Sequence, residues 1–327
     1  MIASLMHGVW MYVFLIVGFA LLLKGADFFV DGASSIARLL KVSPLIIGLT
    51  IVAFGTSFPE LAVSVTSAIK GQNELAVGNV VGSNIFNSLM VLGFSALFMP
   101  VVVQKNLIQK DLPFNILLSF ILFVLFFDTV FNPGFPNTLS RGDGIVLLAF
   151  FAVYMFYMVF TALSSRSEYE QQTEGDIKQM GVTKSILFTI FGAVAIVLGG
   201  DLTVDAASAI ALSWGMSETL VGLTIVAIGT SLPELVTSII AAKKGECDLA
   251  VGNVVGSNIF NILLILGVSS TINPIEMTDP HLFADMLIML AVSVLTFAVS
   301  VPKKIHRWEG AVMIALYVGY MVYIVLR

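Results

Sequence analysis

Charged residues are scarce in this chain: Asp, Glu, Lys and Arg make up 11% of its 327 residues, about half the share found in ordinary soluble domains. Cysteine is scarcer still. Cys247 stands alone, so no disulfide can close within the chain and the redox compartment is unreadable. The three histidines, His7, His281 and His306, fall in loops or at the ends of apolar runs, which leaves no His/Cys cluster for zinc or copper. No His or Cys lies deep within an apolar run and no run holds a paired catalytic Asp motif, so neither an enzyme nor a cofactor is expected. The short alternating segments of a β-barrel are missing too. So is any polar stretch long enough to bury a core of its own.

Apolar sequence fills the space instead, at 58% of residues. Runs of about 20 residues recur, the length a helix needs to cross a bilayer core of about 30 Å. We count ten: Val9–Val30, Leu45–Ile69, Leu75–Met99, Leu112–Val130, Ile145–Leu163, Ile186–Val204, Leu220–Ala242, Leu249–Ile272, Leu282–Val301 and Trp308–Leu326. The first lacks a small-residue cleavage site and reads as a retained helix. The expectation is an all-α polytopic membrane protein whose surroundings are lipid, with no nucleic-acid partner and no obligate protein partner. The loops after odd-numbered runs hold twelve basic residues, among them Arg38, Lys41, Lys243 and Lys244, whereas the other side holds only Lys70, Arg141 and Arg327. That bias places the basic loops in the cytoplasm and both termini outside it, in a multi-pass protein of the cell membrane.

The chain repeats itself. Gly48–Asn87 and Gly222–Asn261 align without a gap and agree at 29 of 40 positions, 174 residues apart. Packing tolerates exchange among apolar residues, so the joint return of Gly, Thr, Ser, Pro, Glu and Asn marks a doubled site. Asp27, Asp31 and Asp111 also return at this offset, as Asp201, Asp205 and Asp285. The expected halves are residues 1–163 and 184–327, joined by a flexible cytoplasmic linker at 164–183. Five runs separate each residue from its mate. An odd number turns the second copy over in the membrane, giving two inverted five-helix repeats.

Within each copy, Gly-Thr-Ser-x-Pro-Glu should break a helix, the second and the seventh. Pro59 has no N–H for the carbonyl of Gly55, so carbonyls around Ala53–Thr56, and likewise Ala227–Thr230, should lose their helical partners. In hydrocarbon such groups need a replacement. Beside each break stand Thr56 and Ser57 with Glu60 one turn on, and Thr230 and Ser231 with Glu234. Carbonyl, hydroxyl and carboxylate oxygens together suit a hard cation, and an ionisable residue at membrane depth points to function. On the following spans, Asn79, Ser83 and Asn87 share one helical face, as do Asn253, Ser257 and Asn261. Asn84 and Asn258 lie off that face, where packing or bonding to the broken helix is expected. Two carboxylates carry −2 when ionised, which one Ca2+ or two Na+ would balance. Protons should compete for the same oxygens, so affinity should fall in acid. Asp27, Asp31, Asp201 and Asp205 read as span-end residues that terminate helices at the interface or pair with Lys24 and neighbouring loops, an ion relay being the alternative. Glu74 and Asp248 read as structural charges at helix N-termini.

With these residues in view, the chain resembles the sodium/calcium exchanger family of the cation/Ca2+ antiporter superfamily, in its prokaryotic form with two α-repeats. The resemblance spans nearly the whole chain, and the two copies of Gly-Thr-Ser-x-Pro-Glu and of Gly-Ser-Asn-Ile-Phe-Asn are its specific part. It implies a Ca2+ site made by Glu60, Glu234 and the backbone oxygens of Thr56 and Thr230. It implies Na+ sites at the carbonyls of Ala53 and Ala227 and the hydroxyls of Ser57, Ser231, Ser83 and Ser257, with Asn87 and Asn261 central. Spans one and six would slide as a gate. Asn261 stands where several relatives, the potassium-dependent branch included, carry Asp, which argues against K+ transport. The implied activity is electrogenic exchange of Ca2+ for Na+ by alternating access. A proton- or K+-coupled exchanger of the same fold is the alternative, and a cation channel comes after it.

Overall fold

The computed structural model describes residues 8–71, 73–131, 136–164, 180–215, 227–277 and 281–326. Among them eight helices are long and apolar enough to cross a bilayer, and a helix pair bent by 50° supplies a ninth span. In chain order they are α1 (Val9–Leu40), the bent pair α2 (Pro44–Thr56) and α3 (Phe58–Ile69), α4 (Leu75–Phe98), α5 (Leu107–Phe126), α6 (Arg141–Ser164), α7 (Val182–Ser213), α9 (Cys247–Ile272), α10 (His281–Ser300) and α11 (Arg307–Leu326). Helix α8 (Leu232–Lys243) follows a single turn at Ala227–Gly229 and forms the described part of the seventh apolar run. The earlier part of that run, 220–226, and most of the expected linker, 165–179, lie outside the described residues.

Burial sorts the helices into layers. The apolar window of α9 is 94% buried and that of α4 78%, against 17% for α6 and for α11. Helices α4 and α9 are therefore the interior, their Ile85, Leu89, Leu92, Ile259, Leu263 and Leu266 sharing one core cluster. Val153, Phe156 and Phe160 on α6 and Val318 and Val322 on α11 are exposed; in a bilayer that surface meets acyl chains, not water.

Helices α1 and α7 run further than their apolar runs suggest, to Leu40 and Ser213 rather than Val30 and Val204. The extension of α1 is rich in small residues, and Gly32, Ala33, Ser34, Ser35 and Ala37 are all buried there. Protein contact therefore sets the end of this helix. The two helices lie antiparallel in close approach: a Cβ on Gly25 would come within 2.9 Å of Ala195, and one on Gly192 within 2.5 Å of the Phe29 backbone. Small residues at such a seam let helices pack without a hydrophobic driving force between them.

Two short antiparallel strand pairs tie the halves together. Strand β1 (Val101–Val102) pairs with β4 (Lys304–Ile305), and β2 (Thr138–Leu139) pairs with β3 (Ile275–Glu276). Each pairing joins a loop of the first half to a loop of the second. Val101 and Ile275 are repeat-mates 174 apart, so one pairing is the counterpart of the other.

Candidate ion-binding site

Between Thr56 and Phe58 the helical ladder is interrupted at Ser57, which has φ −83° and ψ 9°. The Ser57 amide donates to Ala53 O at 3.0 Å, and the next bond across the break runs from Leu61 N to Ser57 O at 3.1 Å. The carbonyls skipped are thus those of Phe54, Gly55 and Thr56. This corrects the expected set by one position, because Ala53 O already holds the Ser57 amide, although a carbonyl keeps a second lone pair. In the second copy Ser231 N turns back to Ile228 O at 3.2 Å and Leu235 N reaches Ser231 O at 3.2 Å. Pro59 and Pro233 each occupy the start of the helix that follows, and Glu60 and Glu234 stand in its first turn. Free amides at a helix N-terminus favour a carboxylate there.

Glu60 and Glu234 are wholly buried, and each is held by the opposite copy. Ser231 Oγ lies 2.9 Å from Glu60 Oε1, and Ser57 Oγ donates to Glu234 Oε1 at 2.9 Å. Ser83 Oγ lies 3.0 Å from Ser231 Oγ, while Ser257 Oγ reaches Glu234 Oε1 at 3.4 Å. The structure thus brings Ser57, Ser83, Ser231 and Ser257 to the two carboxylates. Thr56 Oγ1 meets Asn253 Oδ1 at 2.9 Å, and Thr230 Oγ1 meets Asn79 Oδ1 at 3.3 Å. Asn79 and Asn253 in turn donate to Ser64 and Ser238, both at 3.0 Å. Ala53 is buried at the end of the π-turn in α2, and Ala227 opens the single turn before the second break.

One helical turn beyond Ser83 and Ser257, Asn87 and Asn261 each open a π-helical turn, a feature frequent at functional sites. Their amides face the opposite copy. Asn261 Nδ2 donates to Asn84 Oδ1 at 2.9 Å, and Asn87 Nδ2 to Asn258 Oδ1 at 3.3 Å. The hydrogen bonds of Asn84 and Asn258 thus cross the α4–α9 interface and do not go to the broken helices, the second of the two roles expected beside packing. What remains is a set of bare oxygens. Glu60 Oε2, Glu234 Oε2, Asn87 Oδ1 and Asn261 Oδ1 are buried and have no hydrogen-bond partner. An unsatisfied buried polar group costs about 1–3 kcal/mol, more when charged. Carboxylate and amide oxygens without protein donors are the kind of ligand a hard cation takes, and among the described residues no group of three or more His, Cys, Asp or Glu gathers elsewhere to hold a metal.

Sequence reasoning overlooked Ser64 and Ser238. The signal was present, since Ser64 is the only residue of 62–67 that matches its mate. For Asp27 and Asp31 it expected pairing with Lys24 and neighbouring loops, and a loop residue is the partner. Both carboxylates bind Lys244 Nζ at 2.6 Å, not Lys24, and they sit well inside α1. Arg38 meets Glu246 at 2.6 Å beside them, and a backbone turn at Gly245, with φ 81°, aims Lys244 and Glu246 at α1. Asp248 accepts from Gln104 Nε2 at 2.6 Å, as suits a structural charge. The side chain of Glu74 lies outside the described residues.

A helical membrane protein whose halves exchange hydroxyl donors to two buried carboxylates belongs to the class of ion-coupled transporters. Comparison with known proteins narrows the class. The family model described as sodium/calcium exchanger protein matches residues 10–160 and 184–326. The chain belongs to the sodium/calcium exchanger family, membrane antiporters of Ca2+ and other cations. It is 39% identical over 315 residues to the putative antiporter CaxA of Alkalimonas amylolytica, covering 94% of this chain and 96% of that protein. With the sodium/calcium exchanger MaX1 of Methanosarcina acetivorans it shares 33% over 349 residues, or 95% and 97% of the two chains. A structure of the sodium-calcium exchanger NCX_Mj soaked with Na+ and Ca2+ matches at TM-score 0.82 and 33% identity, over 97% of this chain and 99% of that one.

Proposed function

We propose that this protein is a secondary antiporter that exchanges Ca2+ for Na+ across the cell membrane by alternating access. The four buried oxygens without partners, two from each repeat, carry the reading. In it Glu60 and Glu234, with the carbonyls of Thr56 and Thr230, hold Ca2+. The carbonyls of Ala53 and Ala227 and the hydroxyls of Ser57, Ser83, Ser231 and Ser257 hold Na+, with Asn87 and Asn261 at the centre. The formal charge of −2 is neutralised by one Ca2+ or two Na+, so the two loads compete for one set of oxygens. A third Na+ makes the cycle electrogenic and voltage-sensitive. MaX1 and NCX_Mj carry the sodium–calcium activity in their names.

The architecture in this reading is ten spans in two inverted five-helix halves, with the basic loops in the cytoplasm and both termini outside. A departure from symmetry supports alternating access. On the basic side α1 is tied to α8 through Lys244, Asp27 and Asp31. Their repeat-mates Lys70, Asp201 and Asp205 form no such ion pair among the described residues. One side is drawn closed while its mate stands apart, and the reverse arrangement gives the opposite-facing state.

The test is 45Ca2+ uptake into proteoliposomes loaded with Na+ and diluted into Na+-free medium. Uptake that depends on the outward Na+ gradient, grows with an inside-positive potential that drives out the net positive charge of three Na+ leaving for one Ca2+ entering, and weakens in acid agrees with the reading. Uptake driven only by a K+ or pH gradient assigns another coupling ion. Ca2+ flux that needs no exchangeable ion makes the protein a channel.

A further inference from the structure

The hydrogen-bond chain behind Asn261 has a fixed polarity. It starts at the main-chain carbonyl of Asn258, which can only accept. Asn84 Nδ2 lies 3.4 Å from that oxygen, so the amino end of Asn84 is committed to it and Oδ1 points the other way. Asn84 Oδ1 also only accepts, and Asn261 Nδ2 donates to it at 2.9 Å. The amide of Asn261 is thereby oriented: its NH2 faces Asn84, and its Oδ1 is left as a buried acceptor without a protein partner. Reversing Asn261 would set oxygen against oxygen at Asn84 and turn an N–H donor towards the cation oxygens. Reversing Asn84 as well would set oxygen against the Asn258 carbonyl. Neither flip has a compensating partner.

The mate chain is looser. Asn87 Nδ2 reaches Asn258 Oδ1 at 3.3 Å, but Asn258 is held in turn by Ser88 Oγ at 2.9 Å. A hydroxyl donates or accepts equally well, so a reversed Asn258 amide can still be satisfied there. The two copies are identical in sequence from Gly78 to Asn87 and from Gly252 to Asn261, yet Ser88 is replaced by Ile262 at the next position. That single difference gives the Asn87 side a hydroxyl which the Asn261 side does not have.

We propose that Asn84 is a positioning residue of the ion site: it locks the Asn261 amide with its oxygen towards the cargo and so sets the affinity for Ca2+. The proposal rests on the ion-site reading above and adds a residue that touches no ion. Its consequence is specific. A carboxylate at 261 presents an oxygen in either orientation and has no donor to misplace, so it makes Asn84 dispensable. An amide at 261 does not.

The experiment is a double-mutant cycle on Ca2+ binding, measured by titration calorimetry on the purified full chain, which does not require transport. Asn84→Leu should weaken Ca2+ binding about tenfold, the equivalent of one misoriented buried polar group. In an Asn261→Asp background, the same Asn84→Leu change should cost less than about threefold, giving a coupling term outside the additive range. Equal losses in the two backgrounds overturn the proposal, as does unchanged Ca2+ affinity in Asn84→Leu. If Asn84→Leu does not yield monodisperse protein, Asn84→Ser, which is too short to reach Asn261 Nδ2, is put through the same cycle under the same criterion. Failure of the parent protein to bind Ca2+ removes the ion-site reading itself, and the positioning role with it. Binding by the parent without coupling between 84 and 261 removes the positioning role alone.

Discussion

Replacing Glu60 with Gln separates a ligand from a structural carboxylate, because the two roles predict opposite signs for stability without ions. The glutamate is wholly buried, with Oε1 held by Ser231 and Oε2 without a partner. Gln keeps an oxygen for Ser231 and puts an NH2 where the bare oxygen stood. In the ion-free protein this removes a buried charge close to that of Glu234, so unfolding in EDTA should occur at the same temperature or higher. With Ca2+ the sign reverses. Removing one partner of a buried ionic contact costs about 3–5 kcal/mol, or on the order of 10²- to 10⁴-fold in affinity. Ca2+ at a hundred times its Kd should stabilise the parent by about 2.7 kcal/mol, and at that concentration Glu60→Gln should show almost no shift. Thermal unfolding with and without Ca2+, read beside 45Ca2+ uptake, gives both quantities. A variant that unfolds earlier in EDTA makes Glu60 a structural residue. Uptake within tenfold of the parent refutes the ligand role outright.

Three further outcomes follow from the geometry. Pro59→Ala restores an N–H that can bond Gly55 O, so it should straighten the 50° bend between α2 and α3 and reduce uptake far more than it reduces stability; normal uptake would show that the break is incidental. Gly25→Val places a branched side chain where even a Cβ would lie 2.9 Å from Ala195, and should cost at least about 1–3 kcal/mol by overpacking, read as loss of monodisperse protein or a lower unfolding temperature. Arg38→Met with Lys244→Met removes the ion pairs that tie α1 to the region around α8. Each of these partly exposed pairs is worth only about 0–1 kcal/mol, so stability should hardly move, while maleimide labelling of the partly buried Cys247 should speed up several-fold. An unchanged labelling rate would show that these pairs do not hold that side closed.

The doubled motif was legible because its chemistry is costly in a membrane. Nothing in apolar packing calls for Pro59 and Glu60 four and five residues after Gly55, twice, so those letters announced both the break and the carboxylate. Asn84 was legible as a repeated residue but not as a partner of Asn261, since a helical wheel assigns faces within one helix and the bond crosses between two. The carbonyl of Ala53 was assigned as free because the sequence locates the missing N–H at Pro59 but not how far the ladder persists before it. The ends of α1 and α7 were hidden for a different reason: run length measures lipid contact, whereas Gly32, Ala33 and Ser34 continue the helix against protein. Lys244 was out of reach of Asp27 and Asp31 in sequence, and only the turn at Gly245 brings them together.

Bonding between the two copies explains why they keep their polar letters while their apolar ones drift. Each Glu is satisfied by a serine of the other copy, Ser231 for Glu60 and Ser57 for Glu234, so a change in one motif is felt as a lost partner in its mate. Phe54 meets the other copy through an apolar ring contact with Phe260, centroids 6.1 Å apart, which fixes no polar letter, and the mates of Phe54 and Phe58 are Ile228 and Leu232. The same logic locates where the copies were free to differ. Just past the shared stretch, Ser88 faces Asn258 while its mate Ile262 is apolar, and one asparagine is held tightly where its mate is held loosely. A site built from two identical halves would offer identical surroundings to every ion it binds. In the proposed antiport, departures of this kind would let two chemically similar sets of oxygens serve unlike cargo, a divalent ion on one stroke and monovalent ions on the other.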